Sequence, residues 1–211
     1  MMFSVGTASA ASITATSAGV SVVDPAPASV AEGALESDVD LFAFLERTAT
    51  LSSDIEVDIV TDGTYSGANV PNSTISAGTG YSSFFIQADP VGQPSNRISL
   101  TGTITFDQDI LGIIISNDLL DDTDSILGSP TTTYIPSSGQ RNRALESSDS
   151  ITINGNQLTL NLLRVTGDGV DQLRVLVAEP TATIPEPTGI ALFGLGLLAM
   201  GGYSMRRKAN R

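Results

Sequence analysis

The stretch ISLTGTITF, residues 98–106, sets the architecture of this chain. Ile98, Leu100, Gly102, Ile104 and Phe106 alternate with Ser99, Thr101, Thr103 and Thr105. A period of two puts one set against a core and the other toward water, the mark of a half-buried strand. Working outward, Asp54 to Val60 (DIEVDIV) alternates acids with β-branched residues and predicts a second strand of the same kind, followed by a turn at Asp62-Gly63. Leu111 to Ile115 is a more continuous apolar run and predicts a central strand. Ile151 to Ile153 and Leu158, Leu160, Leu162 flank Asn154-Gly155 and read as a hairpin. Leu173, Val175 and Val177 supply a last strand, and a helical turn or two fits between Asp121 and Leu127, ended by Gly128. Strands about 8–15 residues apart predict a mainly β fold, an antiparallel sandwich or jelly roll, over residues 12–178. Residues 12–37, rich in Ala, Ser, Val and Pro, read as an edge strand or as a linker.

Composition narrows the function. The formal charge is −13, and four of the ten basic residues lie at 206–211, which leaves six against 22 acidic residues before Ile184. Such a body repels nucleic acid and anionic lipid. There is no Cys, hence no disulfide and no thiol nucleophile, and no His, the commonest general base and transition-metal ligand. A Ser nucleophile would need Lys as its base, and the sole lysine is Lys208.

The closing sequence, IPEPTGIALFGLGLLAMGGYSMRRKANR (184–211), differs from all that precedes it. Residues 189–205 carry no charge, and as a helix these roughly 17 residues span about 26 Å, enough for a bilayer core. Arg206, Arg207 and Lys208 follow, so the positive-inside rule leaves 206–211 in the cytoplasm and the body outside. Residues 179–188 form a linker in which Pro185-Glu186-Pro187 holds the backbone extended, as a peptidase needs. Pro-Glu-Pro, a short apolar helix and a basic cluster, in that order, resemble the PEP-CTERM sorting signal of Gram-negative bacteria. The resemblance implies recognition and processing by exosortase, an intramembrane cysteine protease, at the inner membrane of a species that makes exopolysaccharide. It also implies delivery to the cell surface or beyond. Phe44-Leu45-Glu46-Arg47-Thr48, Ile104-Thr105-Phe106-Asp107, Ile110-Leu111-Gly112 and Val170 to Val175 resemble recurring blocks of one lineage of such proteins, a likeness that carries no biochemical activity. At the other end, Ala8-Ser9-Ala10 has the small-x-small form of a signal-peptide cleavage site, so residues 1–11 read as the tail of a secretory signal whose start lies upstream.

Three groups of polar residues are candidates for chemistry. Asp118, Asp121, Asp122 and Asp124 read first as a solvated loop and helix start and second as a calcium site, since calcium takes six to eight oxygens; the spacing is not that of an EF-hand. Asp54, Glu56 and Asp58 read as a solvent-facing acidic strand rather than a glycosidase pair, because a chain without Trp has few aromatic walls for a sugar. Arg141 and Arg143 read as solvent-facing or paired with Glu146 rather than as an anion site. The whole predicts an exported, non-enzymatic protein of the envelope or matrix, working with exopolysaccharide, with Tyr65, Tyr81 and Tyr134 as natural sugar-stacking residues. A calcium-dependent carbohydrate-binding or adhesive module is the alternative, and a glycosidase the weaker one. No other cofactor is expected.

Overall fold

A computed structural model describes residues 10–180 apart from 68–69, 93–96, 140–141 and 165–168. Among the described residues twelve strands and one α-helix follow in chain order: β1 Ile13–Thr16, β2 Val20–Val22, β3 Leu41–Thr50, β4 Ile55–Val57, β5 Gly63–Ser66, β6 Ser73–Ile75, β7 Gly80–Ala88, β8 Ile98–Phe106, β9 Ile110–Ile114, α1 Asn117–Leu127, β10 Ser150–Asn154, β11 Gln157–Arg164 and β12 Asp171–Ala178. They form two five-stranded sheets, β1-β8-β11-β10-β5 and β2-β3-β7-β12-β9, and a small β4-β6 pair. The fold is mainly β and sandwich-like. Pairing is antiparallel except between β2 and β3, which run parallel.

The alternation along β8 does what its period requires. Leu100, Ile104 and Phe106 join Ile151, Ile153, Leu158, Leu160 and Leu162 of the first sheet against Leu41, Ala43, Phe84, Ile86, Leu173, Val175 and Val177 of the second. The second sheet is covered on its other face as well. There Phe44, Tyr81, Phe85, Ile114 and Leu176 meet Leu120 and Leu127 of α1 and Ile55, Val57 and Ile75 of the β4-β6 pair. Burial on both faces explains why β7 (GYSSFFIQA) and β12 (DQLRVLVA) are enclosed nearly end to end, as strands inside a two-sided layer must be.

Several expectations change in the structure. Residues 12–37 are not a linker: they supply two edge strands, β1 on the first sheet and β2 on the second. Leu111 to Ile114 belong to β9, which ends its sheet rather than centring it, and Ile115 follows the strand; the apolar run is explained by cover from Ile59, bridged to Ile113, and from Ile75 and Val57 packed over Gly112. The hairpin turns one residue later than the Asn-Gly signal places it. Asn154 pairs with Gln157, leaving Gly155 and Asn156 as the loop, and Gly155 alone takes a positive φ, +60°, the pattern of a type II′ turn. The helix begins at Asn117, four residues before the expected start, and buries Leu120, Thr123 and Leu127 along one stripe.

The chain divides into two units, Ser9–Pro180 and a second formed by Met1–Ala8 and Thr181–Arg211. The 189–205 segment, the Pro185-Glu186-Pro187 motif, the basic residues at 206–208 and residues 1–9 lie outside the described residues. Among the described residues no helix is long and apolar enough to cross a membrane.

Candidate functional site

The largest gathering of buried charge lies on the outer face of the second sheet, beneath α1. It starts from an irregularity in β3. The register against β7 shifts between Leu45 and Arg47, leaving Glu46 as the extra residue, and bulges of this kind re-aim a side chain. Glu46 points inward, 6% exposed, at Arg174 of β12, which is fully buried. Arg174 Nε and Nη2 donate to the two carboxylate oxygens at 2.7 and 2.9 Å, the bidentate geometry that favours arginine over lysine. Ser83 Oγ and Tyr134 Oη donate to the same carboxylate, each at 2.6 Å. The guanidinium lies against both the Phe85 and Tyr134 rings, 5.4 and 5.5 Å from their centroids, and the two rings meet edge-on beside it at 5.5 Å.

Helix α1 completes the network with residues the sequence marked as solvated. Asp124 accepts from Arg174 Nη2 at 2.9 Å and from Arg143 Nη1 at 2.6 Å, while Asp121 accepts from Arg143 Nη1 at 2.8 Å and from Ser137 Oγ at 2.6 Å. Arg143 is fully buried and its Nε donates to Gln172 Oε1. This corrects the reading of Arg143, whose carboxylates are Asp121 and Asp124 rather than Glu146. Arg141 lies outside the described residues. The four aspartates of α1 therefore separate: Asp121 and Asp124 turn inward to guanidinium groups, and Asp118 and Asp122 are exposed. Charge effects follow the geometry. Burial alone would lower the Arg174 pKa, but Glu46 and Asp124 more than offset it and raise it. Burial, then the adjacent Glu46 carboxylate, pushes the Tyr134 phenol well up. Asp121 is held below the usual carboxylate range because bonds from Ser137 and Arg143 outweigh its burial.

The acids of residues 54–58 also divide. Asp54 and Glu56 face solvent, but Asp58 is 1% exposed, and its Oδ2 accepts from the backbone N–H groups of Ile115 at 2.6 Å and Ser116 at 2.8 Å. It holds the two residues that link β9 to α1, so this acid is a buried tie and not part of a solvent-facing strand face. The three tyrosines do not form a platform. Tyr81 and Tyr134 line two neighbouring depressions of about 190 and 310 Å³ beside the end of α1, shared by Arg47, whereas Tyr65 sits on β5 in the other sheet, its hydroxyl bound to Thr61.

A further cluster was not legible in the sequence. Oxygens of Glu146, Asp149 and Asp171 lie within 4.8 Å of one another. Asp149 accepts from the backbone of Glu146 at 2.6 Å and of Leu163 at 2.7 Å, and Asn142 Nδ2 donates to Glu146 Oε1 at 2.7 Å. Burial, reinforced by the neighbouring Glu146, raises the Asp149 pKa to about 6, the response expected of like charges crowded away from water. An all-oxygen set of this kind suits a hard cation better than a transition metal.

Comparison with known proteins addresses the unit at the chain ends. Residues 183–208 match the family model described as the PEP-CTERM protein-sorting motif. The chain carries a PEP-CTERM sorting signal. Pro185, Glu186, Pro187, Arg206, Arg207 and Lys208 all fall inside the match. The PEP-CTERM signal implies export to the cell envelope or surface and processing by exosortase. No curated protein and no solved structure matches the chain.

Proposed function

We propose that this PEP-CTERM protein is a non-catalytic component of the envelope or extracellular matrix that works with exopolysaccharide. Its 189–205 segment holds it in the inner membrane with the body outside, and residues 206–211 stay in the cytoplasm until exosortase cuts beside Pro185-Glu186-Pro187. The observation that carries this is the sorting motif at 183–208. The chemistry of the body supports the absence of catalysis. Glu46, the most enclosed acid of the network, already accepts from Arg174, Ser83 and Tyr134 and has no spare role as a base. The chain also lacks the His or Cys from which most nucleophilic mechanisms start.

The test is the mature C-terminus. Expressed in a host with exosortase, the exported protein should end near Pro185–Pro187 by mass spectrometry and leave the inner-membrane fraction. In a host without the enzyme it should keep Arg211 and sediment with membranes. Exported protein that retains Arg211 in the exosortase-positive host overturns the proposal.

A further inference from the structure

The outward face of the first sheet carries a regular array of uncharged hydroxyl and amide groups. Thr103 of β8 stands opposite Thr159 of β11, Thr159 opposite Thr152 of β10, and Thr152 opposite Thr64 of β5, a rank of threonines across four adjacent strands. Thr101, Asn161, Ser150 and Ser66 form a second rank beside it. Strand spacing of about 4.8 Å and a side-chain repeat of about 6.8 Å make this a grid roughly 14 Å across. Not one residue of β1, β8, β10 or β5 is charged, and in β11 only the terminal Arg164 is. In a chain of net charge −13 this gap stands apart.

The hydroxyls are already ordered by one another. Thr103 and Thr159 share a hydrogen bond of 3.2 Å, Thr64 and Thr152 one of 2.9 Å, and Ser99 Oγ donates to Asn161 Oδ1 at 2.8 Å. A hydroxyl has one donor and two acceptor sites, so each pair keeps capacity for an outside partner in a fixed orientation. A protein partner would call for an apolar centre with aromatic or arginine anchors, which this face lacks. Acidic polymers and lipid surfaces are disfavoured by the acids elsewhere on the body. A neutral polyhydroxylated chain meets neither obstacle and pairs donor with acceptor at every sugar.

We infer that the threonine-ranked face of the first sheet is a binding surface for a neutral polysaccharide. This deepens the matrix role proposed above and rests on it only for the class of partner. Affinity electrophoresis of the full-length chain, in a polyoxyethylene detergent, through gels containing dextran, hydroxyethylcellulose or alginate tests it. Wild type should be retarded by at least one neutral polymer and not by alginate. The triple variant Thr103→Val, Thr152→Val, Thr159→Val keeps shape and strand propensity but removes three hydroxyls. Each lost hydrogen bond weakens binding about two- to tenfold, so the triple variant should bind at least about tenfold more weakly. Thr159→Glu, a single exposed change, should weaken it comparably and gives an independent reading if the triple variant misfolds. Retardation by alginate alone, or equal retardation of wild type and variants by dextran, overturns the assignment of this face while leaving an exopolysaccharide role standing. No retardation by either neutral polymer overturns it too, as does concentration-dependent self-association that the triple variant abolishes. Cleavage at the C-terminus is read separately, so failure here and failure of sorting are distinct results.

Discussion

Replacing Glu46 by Gln tests whether the buried network under α1 is a stabilising clamp. The substitution is nearly isosteric, so it opens no cavity. Its effect is electrostatic. The Glu46 carboxylate accepts four hydrogen bonds, two from Arg174 and one each from Ser83 and Tyr134. Gln offers one carbonyl oxygen for two of them and turns an amide donor toward the rest. Arg174 then keeps Asp124 as its remaining carboxylate, in a position with no solvent exposure. Removing one partner of a buried ion pair typically costs about 3–5 kcal/mol. For a domain of this size that lowers the melting temperature by roughly 6–20 °C. The chain has no Trp, so urea unfolding is followed by tyrosine emission and near-ultraviolet circular dichroism. A Glu46→Gln variant within about 1 kcal/mol of wild type, at unchanged denaturant slope, refutes the clamp. The double variant Glu46→Leu, Arg174→Met separates pairing from packing: it should recover part of the loss, because no charge is left stranded.

Two further changes probe other parts of the body. Asp149 has its pKa raised to about 6 in the fold against about 3.9 when unfolded. Its contribution is therefore fully present below about pH 4 and lost as pH rises through about 6. The urea midpoint should rise as pH is lowered from 7 to 5, and Asp149→Asn should flatten that slope; a slope unchanged in the variant would assign it to another group. Gly102 faces inward on β8, and a Cβ there would lie 2.3 Å from Val20 Cγ2 and 3.2 Å from Leu41 Cδ1. Gly102→Val should cost about 1–3 kcal/mol by overpacking and displace β2, visible as faster amide exchange at Val20–Val22, and unaltered exchange there would refute the close approach.

What the sequence reveals depends on how many faces a strand buries. Strand β8 and the β10-β11 hairpin are legible because each shows water one face and alternates; β12 is legible only through its apolar positions, although both of its faces are covered. Strand β7 escapes notice because both of its faces are covered, and Ser83 and Gln87 on the helix side break any apolar pattern. The network is hidden for a related reason. Arg174 stands in a strand exactly where a solvent-facing residue would, and its partners Glu46 and Asp124 lie 128 and 50 residues away. No local spacing joins them; the cover supplied by α1, Tyr134 and the β4-β6 pair makes that face an interior. The sorting signal, by contrast, is wholly local, and the sequence alone carries it.

The two sheets handle their outer faces in opposite ways, and the contrast bears on what the body does after its tail is removed. The last strand ends at Ala178 and the compact unit at Pro180. A cut near Pro185 therefore removes none of the described strands. Without cysteines the body cannot be stapled outside the cytoplasm, so its persistence there depends on its two apolar cores and on whatever fixes α1 to the second sheet. Buried charge is poor at adding stability but, once its groups are mutually satisfied, discriminates strongly against misplacement, since any shift of α1 strands two guanidinium groups. Concentrating charge there leaves the first sheet free to present a neutral, ordered surface. If the double variant at Glu46 and Arg174 restores stability yet loosens α1 in amide exchange, the network specifies where the helix sits rather than how tightly the domain holds.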